Sequence, residues 1–191
     1  MESSELRKMR KTQFLVMNGL IVSILVTFIL LIRLIDITFS QFFLGLGIIL
    51  LVQSVLRLAK GESTKSWIPI FEQVAYYEKH KMGKEWKKQL RMNNIWNLIL
   101  SGIIFLQYYL YRDATDSTLQ PDLIFMLAMT FFLFVIVNIS LFFHIRKIDR
   151  SNSVTDLKGY TWKSNLVGII MGIGFAMIVI MVTIFYVIST I

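Results

Sequence analysis

The chain has 191 residues, of which 55% are apolar and 17% are charged, and its mean hydropathy is +0.64. A soluble domain has about 45–50% apolar and about 25% charged residues, so this composition, with its apolar residues grouped in long runs, excludes an ordinary soluble fold. The sequence contains no cysteine, which excludes disulfides, thiolate metal ligands and a cysteine nucleophile.

Five apolar runs approach the roughly 20 residues that a helix needs to cross the hydrocarbon core of a bilayer. They cover residues 14–32, 37–56, 95–111, 123–143 and 166–188. The first run is too long for the core of a signal peptide and no A-x-A-like site follows it, so we expect it to be retained as a helix. We therefore expect an all-α bundle of five transmembrane helices, forming a single membrane domain over 1–191.

The basic residues predict the orientation of this bundle. Eighteen of the twenty lysines and arginines fall in the segments 1–13, 57–94 and 144–165, and the other two are Arg33 and Arg112. Because basic residues collect on the cytoplasmic side, we expect a cytoplasmic N-terminus and an outer C-terminus. The net charge of +8 then follows from topology, and we expect no nucleic-acid partner. The lysine- and isoleucine-rich composition favours a bacterial source, and we expect a multi-pass protein of the cell membrane, the inner membrane of a bacterium.

The segment 57–94 has the pattern of an amphipathic helix lying in the membrane interface. Pro69 suits the first turn of such a helix, and Gly83 offers a point where it could divide in two. Glu78 and Glu85, at the edge of the apolar stripe, weaken the interpretation. We expect contact with lipid, and with anionic headgroups, through apolar and basic side chains of this segment: Trp67, Phe71, Lys79, Lys84, Trp86, Lys87 and Lys88.

The break between the first two runs predicts a tight helical hairpin. Arg33 and Asp36 are three residues apart and could pair on one helix face. Thr38 or Ser40 could cap the second helix. Deeper in the spans, Gln107, Thr130 and Asn138 are expected as buried polar residues that hydrogen-bond between helices.

The last run carries a pattern of small residues. Gly168, Gly172 and Ala176 follow one another at intervals of four, with Gly174 alongside. Such spacing allows two helix backbones to approach closely. The pattern predicts a packing or partner interface, and it leaves open whether the helix packs inside the bundle, forms a homo-oligomer or docks a second membrane protein.

The functional hypotheses rest partly on what is missing. We find no catalytic motif, no metal-ligand spacing and no cofactor-binding loop, and we expect none of these activities. The first hypothesis is a non-enzymatic accessory, immunity or regulatory subunit that binds another membrane protein. The alternatives are a small transporter, or its membrane component, for an apolar or lipid-like solute, and an intramembrane enzyme of an unrecognised type.

Overall fold

The computed structural model describes residues 3–113 and 123–190, and this part of the chain is all-α, as expected. A single 3₁₀ turn, Val154–Leu157, joins the last two helices. The helices are α1 (Ser3–Leu34), α2 (Phe39–Lys60), α3 (Pro69–Met82), α4 (Lys84–Tyr111), α5 (Leu123–Arg150) and α6 (Tyr160–Thr190).

Four of these helices, α1, α2, α5 and α6, are long and apolar enough to cross a membrane. They indicate an integral membrane protein. The run expected at 95–111 lies within α4, which is not among the four. Asn94, Asn97 and Gln107 interrupt its apolar residues, so its hydropathy is lower than that of the other long helices.

The hairpin between α1 and α2 forms where the sequence predicts it. Thr38 is the N-cap of α2: its hydroxyl accepts a hydrogen bond from the backbone N–H of Gln41, and the Gln41 side chain accepts one from the Thr38 N–H. This reciprocal arrangement satisfies two otherwise free backbone donors. The prediction of Thr38 as a cap is therefore confirmed.

The long helices associate in two antiparallel pairs. In the closer pair, α2 and α4, the Ser101 hydroxyl donates to the Gly47 carbonyl at 3.1 Å, and the Ser54 hydroxyl donates to the Asn94 carbonyl at 3.4 Å. Residues with higher numbers in α2 bond to residues with lower numbers in α4, so the two helices are antiparallel. The other pair is α1 with α5. Arg10 and Asn18 of α1 bond to Asp149 and Asn138 of α5, so these helices are also antiparallel.

The apolar core lies at one end of the molecule rather than among the long apolar runs. One cluster consists of Met82, Trp86, Ile148 and Leu157, and a second consists of Met9, Ile70 and Val74. Both are built around α3. Most side chains in the apolar runs are exposed, which is the surface that lipid can cover.

A glycine allows the chain to turn sharply between α3 and α4. Gly83 has φ +56°, a conformation that other residues adopt at a cost. Its N–H closes α3 by bonding to the Lys79 carbonyl at 3.0 Å, and α4 begins at the next residue. The segment 57–94, in which we expected an amphipathic helix that could divide at Gly83, contains the end of α2 at Lys60, all of α3, and the start of α4 at Lys84.

Candidate functional site: a buried charge cluster

Several charged side chains of the described chain form a cluster around Arg10, on α1. The Arg10 side chain is 7% exposed, and its guanidinium is held by two carboxylates. It donates to Asp149 of α5 at 2.8 and 3.2 Å and to Glu78 of α3 at 2.9 Å, and a fourth bond at 2.8 Å goes to Gln13. One cation thereby joins three helices.

His144 extends the cluster to α6. Its Nε2 lies 3.5 Å from Glu78 Oε2, and its Nδ1 lies 2.7 Å from the hydroxyl of Tyr160. With the proton on Nε2, the neutral ring donates to the carboxylate and accepts from the tyrosine; the protonated ring donates to both. We use the name Arg10 cluster for Arg10, Glu78, His144, Asp149 and Tyr160.

The electrostatics around Arg10 favour the charged form of Glu78. Burial opposes ionisation of Glu78, but the hydrogen bond and charge of His144, together with Arg10, hold the pKa of this carboxyl below its usual range. Burial, with the nearby charge of Asp149, raises the pKa of Tyr77. The Tyr77 ring lies under the Arg10 guanidinium at 5.2 Å, an additional stabilising contact.

Such an arrangement can act as a clamp that holds helices together. A buried charge is tolerated when it is paired and hydrogen-bonded, and each of the three guanidinium nitrogens of Arg10 donates to a protein oxygen. The hydrogen bonds and ion pairs of the cluster therefore hold α1, α3, α5 and α6 together at this end of the molecule.

A second buried carboxylate ties α4 to α6. Glu85, 5% exposed, accepts from the Thr161 N–H at 3.2 Å, and the Thr161 hydroxyl donates back to the Glu85 carbonyl at 3.1 Å. Lys88 donates to the same carboxylate at 2.8 Å. The hydrogen bond from Lys88, aided by Thr161, lowers the pKa of Glu85 to about 2.

The residues expected to contact lipid in segment 57–94 separate into two groups. Trp67 is 98% exposed, whereas Trp86 is 8% exposed and packs in the core, so Trp86 is not at the lipid surface. Lys79 lies over the Trp86 ring at 5.3 Å and donates to the Glu62 carbonyl at 2.9 Å.

The basic residues of this segment are divided between two helices. Lys79 is on α3, whereas Lys84, Lys87 and Lys88 are on the first turns of α4. Lys87 pairs with Glu62 at 2.6 Å, and Phe71 packs at the edge of the Met9 cluster. The apolar face of α3 thus packs on α1 and its neighbours, whereas we expected this face to lie toward the membrane.

The polar residues expected inside the spans are not brought together. Asn138 bonds to Asn18 on α1, while Thr130 donates only to the Met126 carbonyl of its own helix. Gln107 lies on α4, away from both in the pairing of helices. Similarly, Arg33 lies in the last turn of α1 and Asp36 lies in the turn that follows, and no ion pair joins them in residues 3–113.

The small residues of α6 lie on an open surface. A Cβ added to Gly168, Gly172 or Gly174 would meet nothing within 4 Å in the described chain. Ala176 is exposed as well. Between Leu166 and Val182, no described residue is buried. The glycine face of α6, defined by Gly168, Gly172, Gly174 and Ala176, therefore does not pack against any other described part of the chain.

Sequence reasoning missed the Arg10 cluster because its members are far apart in the chain. Arg10 is one of four basic residues near the N-terminus and looks like the others. A signal did exist: Glu78 and Glu85 interrupt the apolar stripe of an otherwise basic segment, and a carboxylate in that position needs a partner.

Among residues 3–113 and 123–190, no group of three or more histidines, aspartates or glutamates could hold a metal ion. Comparison of the chain with protein-family models, with curated proteins and with solved structures finds no match in any of the three.

Proposed function

We propose that the protein is a non-enzymatic membrane accessory, immunity or regulatory subunit that acts by binding another membrane protein. The observation that carries the proposal is the glycine face of α6. Hydrogen bonds of Thr161 and Tyr160 hold the first turn of α6 in place. Further along this helix, in its apolar part, there is open space beside Gly168 and Gly172.

The open face matters because of the way helices associate in a bilayer. Lipid tails are as apolar as leucine, so helices associate in a bilayer through close packing and hydrogen bonds rather than through hydrophobic burial. Small residues spaced by four permit that close packing, and on α6 none of the helices described in this chain lies against them. A helix of another membrane protein is the partner that we propose for this face.

The proposed topology has five spans, with the N-terminus in the cytoplasm of a bacterial cell. Support for a fifth span comes from α4, which runs antiparallel to α2 and bonds to it from Asn94 to Ser101. If α2 crosses the membrane, the apolar part of α4 is carried across beside it. The charge asymmetry of the connecting segments supports the orientation.

The absence of cysteine makes this topology directly measurable. Single cysteines at Ser63, Ser153 and Asp36 give three positions on turns in a background without reactive thiols. A membrane-impermeant thiol reagent added to intact cells should label only the cysteine at Asp36. Labelling at Ser63 or Ser153, while Asp36 stays protected, would contradict the orientation.

The same topology supports a contribution from lipid at the basic end. Trp67 and Lys84 are exposed, and we propose that they contact anionic headgroups. The transporter alternative has less support, because Thr130 and Asn138 use their polar groups within α5 and toward α1.

The experiment is co-purification from native membranes. The protein carries a tag at its N-terminus, is extracted in a mild detergent, and is analysed by mass spectrometry of what accompanies it. We expect a membrane protein in a fixed ratio, and we expect Gly168→Leu with Gly172→Leu to reduce its recovery at least fivefold, since each substitution adds a side chain to the proposed contact.

Gly102→Leu is the matched control. Gly102 lies on α4, and a Cβ there also meets nothing within 4 Å, so the same chemical change is made away from α6. Recovery of the partner should be unchanged. A protein that purifies alone, or a partner that all three substitutions release equally, would overturn the proposal.

A further inference from the structure

A groove of about 480 Å³ lies between the first turns of α1 and the end of α5, next to the Arg10 cluster. Its lining changes character along its length. Two cations, Arg7 and Lys11, stand beside apolar side chains that continue toward the long apolar runs: Leu6, Phe14 and Ile145.

The two cations have no partner within the described chain. Arg7 and Lys11 are four residues apart, so they lie on the same side of α1, one turn from each other. Both are exposed, and no hydrogen bond or ion pair of either side chain lies within residues 3–113 and 123–190. They contrast with Arg10, which is buried and held by two carboxylates.

The one carboxylate in the groove is already neutralised. Asp149 lines the wall, but Arg10 donates to both of its oxygens, at 2.8 and 3.2 Å. It therefore leaves Arg7 and Lys11 as a net positive pair. An anionic group can approach them without meeting an uncompensated negative charge.

The groove also lies at a suitable depth. Lys11 precedes Phe14, where the apolar run of α1 begins, by three residues, which is about 4.5 Å along a helix. Ile145 follows the apolar run of α5, which ends at Phe143, by two residues. The headgroup layer occupies about 5–7 Å on each side of the hydrocarbon core, so Lys11 falls at headgroup level and the apolar lining faces the acyl chains. Arg7 lies one helical turn, about 5.4 Å, further out, at the aqueous edge of that layer.

We infer that this groove binds an anionic phospholipid from the membrane, with its phosphate between Arg7 and Lys11 and an acyl chain along Phe14 and Ile145. The site is separate from the glycine face of α6 and from segment 57–94, and it does not require a protein partner. A phosphodiester bearing a net negative charge satisfies the cations, and a lipid tail satisfies the apolar wall, which a soluble phosphate leaves exposed.

The larger cleft of about 1090 Å³ between α1 and α3 shows no comparable preference for an anionic lipid. Its lining mixes Lys8 with Glu72 and adds Tyr76 and His80, so both signs of charge are present. The separation of cations from apolar residues is a property of the smaller groove.

Native mass spectrometry of the purified full chain tests the inference. The protein is equilibrated in detergent with equal amounts of phosphatidylglycerol and phosphatidylcholine, and the bound lipid is counted. Each basic residue near an anionic surface contributes about fivefold to binding, so Arg7→Gln with Lys11→Gln should weaken phosphatidylglycerol binding about 25-fold. Arg7→Lys with Lys11→Arg should keep it within about threefold of wild type.

Two controls separate this site from general attraction. Lys158→Gln with Lys163→Gln removes the same charge from exposed positions on the same basic end, and it should leave binding within about twofold. Glycerol phosphate, which has the anionic group without the tail, should compete poorly. Equal losses from both double variants, no loss from Arg7→Gln with Lys11→Gln, or full competition by glycerol phosphate would each overturn the inference.

Discussion

Asn18 and Asn138 form a reciprocal pair of hydrogen bonds between α1 and α5. Asn18 Nδ2 lies 3.1 Å from Asn138 Oδ1, and Asn138 Nδ2 lies 2.9 Å from Asn18 Oδ1. Asn138 also donates to the Phe134 carbonyl at 2.8 Å. Two amides facing each other between apolar helices fix both the rotation and the register of the pair.

Replacing Asn138 by leucine should weaken the association of α1 and α5. Interhelical hydrogen bonds in membranes contribute about 0.6 kcal/mol on average, and here two bonds to Asn18 are lost together, so we expect a cost of about 1 kcal/mol in unfolding from detergent micelles. Thr130→Val is the control, because Thr130 bonds only within α5. Equal effects from the two substitutions would contradict the interhelical role of Asn138.

Arg10→Met should destabilise the protein far more than Lys11→Met. Removing Arg10 leaves Glu78 and Asp149 as partly buried carboxylates without their cation, and breaking a buried pair from one side costs about 3–5 kcal/mol. Lys11 is exposed, and surface substitutions change stability by about 0.5 kcal/mol or less. Chemical unfolding followed by circular dichroism compares them; similar midpoints would refute the clamp.

Acid should weaken the contact between α4 and α6. The pKa of Glu85 is lowered from 4.5 to about 2 in the folded chain, so the folded state favours the ionised carboxylate. Its contribution to the free energy of unfolding is complete above the unfolded value, and it is lost as the pH falls from about 4.5 through about 2.

Glu85→Gln should therefore reduce stability at neutral pH and remove part of the decline in stability below pH 4.5. The measurement is the free energy of unfolding of wild type and variant across this range. Glu62→Gln is the comparison, because Glu62 is half exposed and its pair with Lys87 contributes little. A constant difference between wild type and Glu85→Gln at every pH would contradict the assignment.

Gly47→Val should separate α2 from α4, whereas Gly45→Val should not. A Cβ at Gly47 would lie 3.1 Å from the Phe105 ring, while one at Gly45 would meet nothing within 4 Å. Overpacking of this kind costs about 1–3 kcal/mol. The two variants carry the same added atoms two residues apart on one helix. Thermal unfolding in detergent should rank Gly47→Val clearly lower; matching transitions would show that the close approach of α2 and α4 is unimportant.

Local chemistry made part of the fold predictable. The turn at Arg33–Asp36, the Thr38 cap, Pro69 as the first residue of α3 and the division at Gly83 all depend on residues near one another in sequence. Short-range hydrogen bonding and backbone conformation decide these features, so a single sequence contains the information for them.

The spacing of apolar and basic residues along the sequence could not predict the long-range contacts. Arg10 meets Glu78 and Asp149 across 68 and 139 positions, and nothing in the spacing of basic residues distinguishes it from Arg7. The burial of Trp86 depends on Ile148 and Leu157, which α5 and the 3₁₀ turn bring from later in the chain. An apolar stripe predicts that a face is covered, but it does not say whether lipid or protein covers it.

Site-specific photocrosslinking in native membranes tests the central proposal most directly. A photoreactive residue placed at Gly172 lies on the glycine face of α6, and one placed at Gly102 serves as the matched position on α4. The proposal predicts a discrete adduct with a different membrane protein from position 172 and much less of it from position 102. An adduct only with a second copy of this chain, or no protein adduct from position 172, would contradict it.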